Sequence, residues 1–216
     1  MSGITQATAL WYASRATGIV LFVLLTLVVL LGLLVSRRGR LPGLPRFAVT
    51  GLHRAIALIA VVFLLVHVLT AVADGYVTIQ LIAAVVPFTS SYLPLPMALG
   101  AVALDLMLAV VVTSLLRTRL GARTWRAVHW LAYAAYPVAV LHSVTSAADL
   151  RSGVLLALTV LLLAAVAAAV AWRVVTAARD RQAASPAILA SSPLYPPPAT
   201  LWSGAPASPP HAGSVR

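Results

Sequence analysis

The sequence predicts an all-α fold: an integral membrane helical bundle of about five transmembrane helices, with the N-terminus outside and the C-terminus cytoplasmic. Three observations carry this. Hydrophobic types make up 62% of the 216 residues and charged types 9%, with a mean hydropathy of +1.01; soluble domains carry about 45–50% apolar and about 25% charged residues. Five stretches reach the roughly 20 apolar residues needed to cross about 30 Å of hydrocarbon. The basic residues, all Arg, concentrate in alternate loops, as the positive charge of cytoplasmic loops requires.

The first span covers residues 10–35. Its leader has no positive charge, and the apolar run is too long for a signal-peptide core, so it reads as a span. Arg37, Arg38, Arg40 and Arg46 lead into the second span, residues 47–73. The connection 74–96 follows. Its middle, residues 77–88, is apolar but too short to cross, and Pro87, Pro94 and Pro96 interrupt it, so it reads as a re-entrant or interfacial outer piece. The third span covers 97–116, the fourth 125–147 and the fifth 154–175. Arg117, Arg119, Arg123 and Arg126 separate the third from the fourth; Arg173, Arg179 and Arg181 follow the fifth; Arg151 is alone in the outer loops. All five spans agree on one orientation. Residues 182–216, with eight of the fourteen prolines, read as a disordered cytoplasmic tail after a membrane domain of residues 1–181. The net charge of +11 is therefore topological. It suits anionic lipid heads, not nucleic acid, and a multi-pass protein of the plasma membrane.

There is no Cys, which excludes disulfides, Cys-ligated zinc, iron–sulfur clusters and thiol catalysis. Redox chemistry needs a bound cofactor. Four histidines lie inside spans: His53 and His67 on the second, His129 and His142 on the fourth. Ionisable groups in hydrocarbon are costly and face the bundle interior. Spacings of 14 and 13 residues each correspond to roughly 20 Å of helix. Both spans run outward, so His53 is level with His129 and His67 with His142. Asp74 and Asp149 each follow the outer histidine by seven residues. At about 100° per residue, 14 residues return to within about 40° of one face, whereas 13 leave an offset of about 140°. Pro137, between His129 and His142, is where the winding is expected to change. Two levels with two imidazoles each suit two stacked haems held by paired histidines, and filled axial positions favour electron transfer over oxygen binding. Interhelical hydrogen bonding among the histidines is the other reading of these residues.

The segments LHRAIALIAVVFLLVH (residues 52–67) and VHWLAYAAYPVAVLH (residues 128–142), with Arg54 after His53 and Trp130 after His129, resemble the ferric reductase-like transmembrane domain. That superfamily includes NADPH oxidases, ferric reductases and the haem subunit of the periplasmic methionine sulfoxide reductase system. The resemblance covers residues 10–175. It implies two b-type haems, the inner held by His53 and His129 and the outer by His67 and His142, with electrons moving from the cytoplasmic to the outer side. Unlike the oxidases, this sequence shows no flavin or NADPH domain after the fifth span and no Gly-rich dinucleotide fingerprint. The donor is therefore expected to be separate, a flavoprotein reductase or a quinol. The acceptor is ferric iron, oxygen or an exported partner enzyme.

Haem propionates need cationic donors. Arg54 and Arg126 stand near the inner level, and Arg15 lies in the outer part of the first span, where topology disfavours positive charge. Snorkelling to the interface is the alternative for each. Asp105, mid-span, reads as a hydrogen-bonded carboxyl, a partner for Arg or a proton relay. Trp11, Tyr12, Trp125, Trp130 and Trp172 suit aromatic belts. Gly18, Gly32, Gly51 and Gly100 are positions where a helix or porphyrin can approach closely. The leading reading is a di-haem electron-transfer subunit of an oxidoreductase. The alternatives are a quinone-linked cytochrome b-type subunit and a haem-free transporter or assembly protein using intramembrane His and Asp.

Overall fold

The computed structural model describes residues 2–36, 45–74 and 80–190, with side chains described for residues 9–35, 45, 47–74 and 80–182. Arg37, Arg38, Arg40, the Arg46 side chain, residues 75–79 and the tail from 191 onward, His211 included, lie outside the described residues. The chain divides into two units, Met1–Val170 and Ala171–Arg216.

The described residues are helical, without a strand: α1 (Ser2–Ser36), α2 (Arg46–Ala73), α3 (Leu81–Val85), α4 (Pro94–Leu115), α5 (Ala122–His129), α6 (Ala132–Ser146), a 3₁₀ turn (Ala148–Arg151) and α7 (Gly153–Ala190). Four helices are long and apolar enough to cross a membrane, over Ala9–Val35, Phe47–Ala73, Pro94–Leu115 and Gly153–Gln182. This is a multi-pass membrane protein. Helix α7 runs to Ala190, past residue 182 where the tail was expected to begin.

The expected fourth span, residues 125–147, is instead two helices. α5 ends at His129 and α6 starts at Ala132. At the junction the backbone bonds tighten to three-residue steps: Leu131 N–H to the Val128 carbonyl at 2.9 Å and Tyr133 N–H to the Trp130 carbonyl at 3.0 Å. Pro137 sits inside α6 without ending it, so the winding changes beside His129 and not at the proline. At 15 residues, α6 is about 22 Å long, too short to cross alone. α5 carries exposed Arg123 and Arg126, the composition of a helix at a polar boundary.

The segment between α3 and α4 turns through Phe88 (φ 66°) and Leu93 (φ 40°), left-handed conformations that bulky residues rarely adopt. Pro94 then opens α4, where its missing N–H costs nothing.

Within the first unit α1 lies along α2, α4 lies along α6, and α1 also meets α6. The buried positions are largely small: Ala60, Ala98, Ala101, Ala103 and Ala135, with Leu21, Phe22 and Leu33 from α1. Small residues let helix backbones close on one another where lipid offers no hydrophobic drive. Leu58, Val62, Leu65 and Leu69 form an exposed stripe along α2 at helical spacing, a face made for lipid tails. Thr26 is fully buried. Its hydroxyl lies 2.9 Å from the Phe22 carbonyl and 3.0 Å from the Tyr136 hydroxyl, tying α1 to α6 midway between the histidine levels.

Candidate cofactor site

The site is built from four imidazoles and the backbones they lean on. On α2, His67 places Nδ1 2.8 Å from the Ser14 carbonyl of α1. His53 places Nδ1 3.1 Å from the Val28 carbonyl, also of α1. On α6, His142 places Nδ1 2.8 Å from the Pro96 carbonyl of α4. A carbonyl only accepts, so Nδ1 is the protonated nitrogen in each ring, and the Nε2 lone pair is left for a metal.

Each carbonyl stands four residues before a glycine: Ser14 before Gly18, Val28 before Gly32, Pro96 before Gly100. In an α-helix that carbonyl accepts the glycine's own N–H, and the missing Cβ opens its second lone pair to the histidine. A Cβ on Gly18 would lie 2.9 Å from His67 Cε1. One on Gly100 would lie 2.8 Å from both Cε1 and Nδ1 of His142, and one on Gly32 would lie 3.5 Å from His53 Cε1. A Cβ on Gly51 would meet nothing within 4 Å. Three of the four glycines singled out in the sequence therefore abut a histidine.

His67 and His142 come together, with ring centroids 6.4 Å apart and planes at 72°. With metal–nitrogen bonds of about 2 Å and a ring centre roughly 1.1 Å behind each nitrogen, imidazoles on opposite sides of one metal ion have centroids about 6.3 Å apart. A cavity of about 220 Å³ is lined by Arg15, Gly18, His67, Gly100, Tyr136 and His142, among others. Near the Arg-rich end, His53 lies on α2 and His129 ends α5. His129 differs from the other three. Its Nδ1 is buried with no hydrogen-bond partner among the described residues. Its ring is stacked on Trp125 instead, at 5.0 Å and 24°, and Trp125 Nε1 is likewise buried and unbonded.

Arg15 meets Asp149 of the 3₁₀ turn through Nε (3.2 Å) and Nη2, and its guanidinium sits 4.6 Å over the Trp11 ring. Arg54 and Arg126 are exposed, and Arg126 Nε donates to the Ala122 carbonyl at 3.1 Å. Asp105 is exposed on α4. Asp74 is buried and lines the cavity. Among the described residues no three His, Asp or Glu side chains gather as a protein-only metal centre needs. The histidine pair brought ring to ring is His67 and His142, a two-imidazole donor set that would need further ligands from a bound group.

Three features escaped the sequence reading. The glycines' role is set by carbonyls four residues away, and the matching 14-residue spacing of Gly18–Gly32 and His53–His67 was the available signal. Trp125 was taken for an aromatic belt, although it stands one helical turn from His129. Asp149 was a depth marker, with nothing in sequence linking it to Arg15.

The family model described as ferric reductase like transmembrane component matches residues 17–140. The match takes in His53, His67 and His129 and stops two residues before His142. No curated protein and no solved structure matches the chain.

Proposed function

The chain belongs to the ferric reductase-like transmembrane component family, which makes it a membrane electron-transfer subunit of a kind that generally binds haem and works with separate redox partners, and we propose that it carries two b-type haems between a cytoplasmic-side donor and an outer-face acceptor. The observation that carries this reading is the His67–His142 pair: two imidazoles at the separation of trans ligands, each with Nδ1 committed to a carbonyl.

His67 and His142 hold the outer haem, and His53 and His129 the inner one. Bound there, a haem would supply reversible one-electron exchange at iron. The protein's part is to hold and insulate. The Ser14, Val28 and Pro96 carbonyls fix tautomer and ring orientation for three ligands, and Trp125 covers the fourth. Apolar walls from α1, α4 and α6 keep water from the iron ligands. Arg54 and Arg126 at the cytoplasmic end, and Arg15 at the outer end through donors not taken by Asp149, bind propionates. The Arg-rich loops set the N-terminus outside. The donor is a flavoprotein reductase or a quinol, and the acceptor is ferric iron, oxygen or an exported partner enzyme.

The test is to purify the chain and measure its absorption spectrum, the haem-to-protein ratio and the extracted haem type. Two b-type haems per chain are expected. A protein that stays colourless after haem supplementation overturns the proposal.

A further inference from the structure

Between Asp74 and Asp105 the sequence has no charged residue, although α3 and its flanking turns leave the helices that cross. α3, five residues long, is too short to span. It packs against α4 and also touches α2. Its small side chains, Ala83 and Ala84, line the cavity that His67 and His142 share, and Ala83 is only 5% exposed. Its bulky side chains face away. Leu81 is 66% exposed, Ile82 and Val85 are exposed at helical spacing, and Phe88, in the turn beyond, is 71% exposed. A contiguous apolar face of this kind marks a protein or membrane contact, and three further observations favour lipid. Ala83 and Ala84 share the cavity wall with Met97, Gly100 and Ala101, so α3 stands beside the first two turns of α4, inside a membrane-crossing helix. The exposed Leu69 of α2 and Leu95 of α4 flank it, which makes its outer face continuous with the lipid-facing sides of both spans. The turn after α3 also satisfies its own polar groups. Thr89 Oγ1 donates to the Val86 carbonyl at 2.8 Å, Ser90 Oγ donates to the Tyr92 carbonyl at 2.8 Å, and the Tyr92 N–H donates to Ser90 Oγ at 3.2 Å. Backbone that leaves a helix at membrane depth needs such internal partners.

We propose that residues 80–93 are seated among the lipid tails of the leaflet opposite the Arg-rich loops, as a re-entrant wall of the His67–His142 cavity. The partner of the exposed face is the bilayer itself. Leu81, Ile82, Val85 and Phe88 enter the acyl region just beneath the headgroups, the depth at which interfacial segments bury an apolar face. Lipid on that side holds Ala83 and Ala84 against the cavity on the other. The bilayer is thus a structural partner of the site, and water is kept from this side of the cavity by a wall that is itself in lipid. The inference is independent of any cofactor; it takes from the function proposed above only the orientation that makes this leaflet the outer one.

The test uses the full chain, which has no Cys. Single cysteines are introduced as Leu81→Cys, Val85→Cys and Phe88→Cys, labelled with bimane in mild detergent and reconstituted into phosphatidylcholine vesicles. Leu69→Cys on the lipid-facing side of α2 and Ser152→Cys at the exposed turn before α7 are the references. Phospholipids brominated near the headgroup are expected to quench the three labels as strongly as that at Leu69→Cys, and aqueous iodide to quench them far less than that at Ser152→Cys. Ala83→Cys, on the cavity side, is expected to resist labelling in mild detergent and to label once the chain is denatured. Iodide quenching equal to that at Ser152→Cys would mean a face open to water or to a water-soluble partner. Protection from both quenchers would mean a face covered by protein, such as a second copy of the chain. Either result overturns the proposal, as does an Ala83→Cys that labels as readily as Leu81→Cys. None of these outcomes bears on the haem content, which the spectrum of the unsubstituted chain tests separately.

Discussion

Replacing Gly100 with alanine is expected to cost the chain its outer haem and spare the inner one. The new Cβ would stand 2.8 Å from Cε1 and Nδ1 of His142, against the 3.4 Å at which ordinary contact begins. The ring must retreat by about 0.6 Å, which stretches the Nδ1–Pro96 bond from 2.8 Å to about 3.4 Å, beyond useful length. Losing that bond costs about 0.5–1.5 kcal/mol and overpacking about 1–3 kcal/mol, while alanine returns about 0.5–1 kcal/mol of helix propensity. The net is about 0.5–4 kcal/mol of destabilisation. Disturbing the partner of a metal-ligating histidine typically lowers metal affinity by about 10–100-fold. The assay is the haem-to-protein ratio after purification under limiting haem, beside two controls. Gly51→Ala, with open space around the new Cβ, keeps both haems and gains stability; Gly32→Ala, at 3.5 Å, makes an ordinary contact and keeps both haems. A Gly100→Ala protein that binds its outer haem as tightly as the wild type would refute the reasoning.

Alanine at His67 or His142 is expected to leave one haem per chain, with the surviving spectrum that of the inner site, and alanine at His53 or His129 the converse; pyridine haemochrome ratios check both. Arg15→Leu removes a part-exposed ion pair with Asp149, with side chains 24% and 54% exposed, so it costs at most about 1 kcal/mol of stability yet weakens outer-haem retention; full retention of both haems removes Arg15 from the site. Thr26→Val breaks the hydroxyl link to Tyr136 and costs about 0.5–1.5 kcal/mol, read by thermal unfolding in detergent, without changing the haem count. Because the chain has no Cys, a single cysteine at Gly121 is labelled only from the cytoplasmic side and one at Ser152 only from outside; the reverse pattern would invert the orientation.

Much of this was legible in the sequence because the membrane leaves so few polar choices. Apolar length marks α1, α2, α4 and the first part of α7, and depth arithmetic puts His67 level with His142, whose rings do come together. What stayed hidden depends on the backbone. The break at Trp130–Leu131 has no glycine or proline to announce it, and Pro137, the residue that does announce a kink, lies within a continuous helix. The carbonyl partners of the histidines carry no sequence identity at all: Ser14, Val28 and Pro96 share nothing but their place before a glycine. Arg15 was recognisable as misplaced charge, but its partner lies 134 residues away, a distance that only the fold spans.

The division of labour between helix pairs has a consequence for how the protein is made. α1 and α2 together hold His53 and His67 in the metal-binding tautomer, and α4 and α6 do the same for His142. The two pairs meet through α1 and α6, which the Thr26–Tyr136 hydroxyl link joins. On the proposed function, a haem held by His67 and His142 would bridge the two pairs and act as a clasp that completes assembly. A ligand present at a hundred times its dissociation constant adds about 2.7 kcal/mol to the stability of the state that binds it. Haem supply during synthesis would then set how much of the newly inserted chain survives quality control, and starvation for haem would lower the amount of the protein before it lowered the activity of any one molecule.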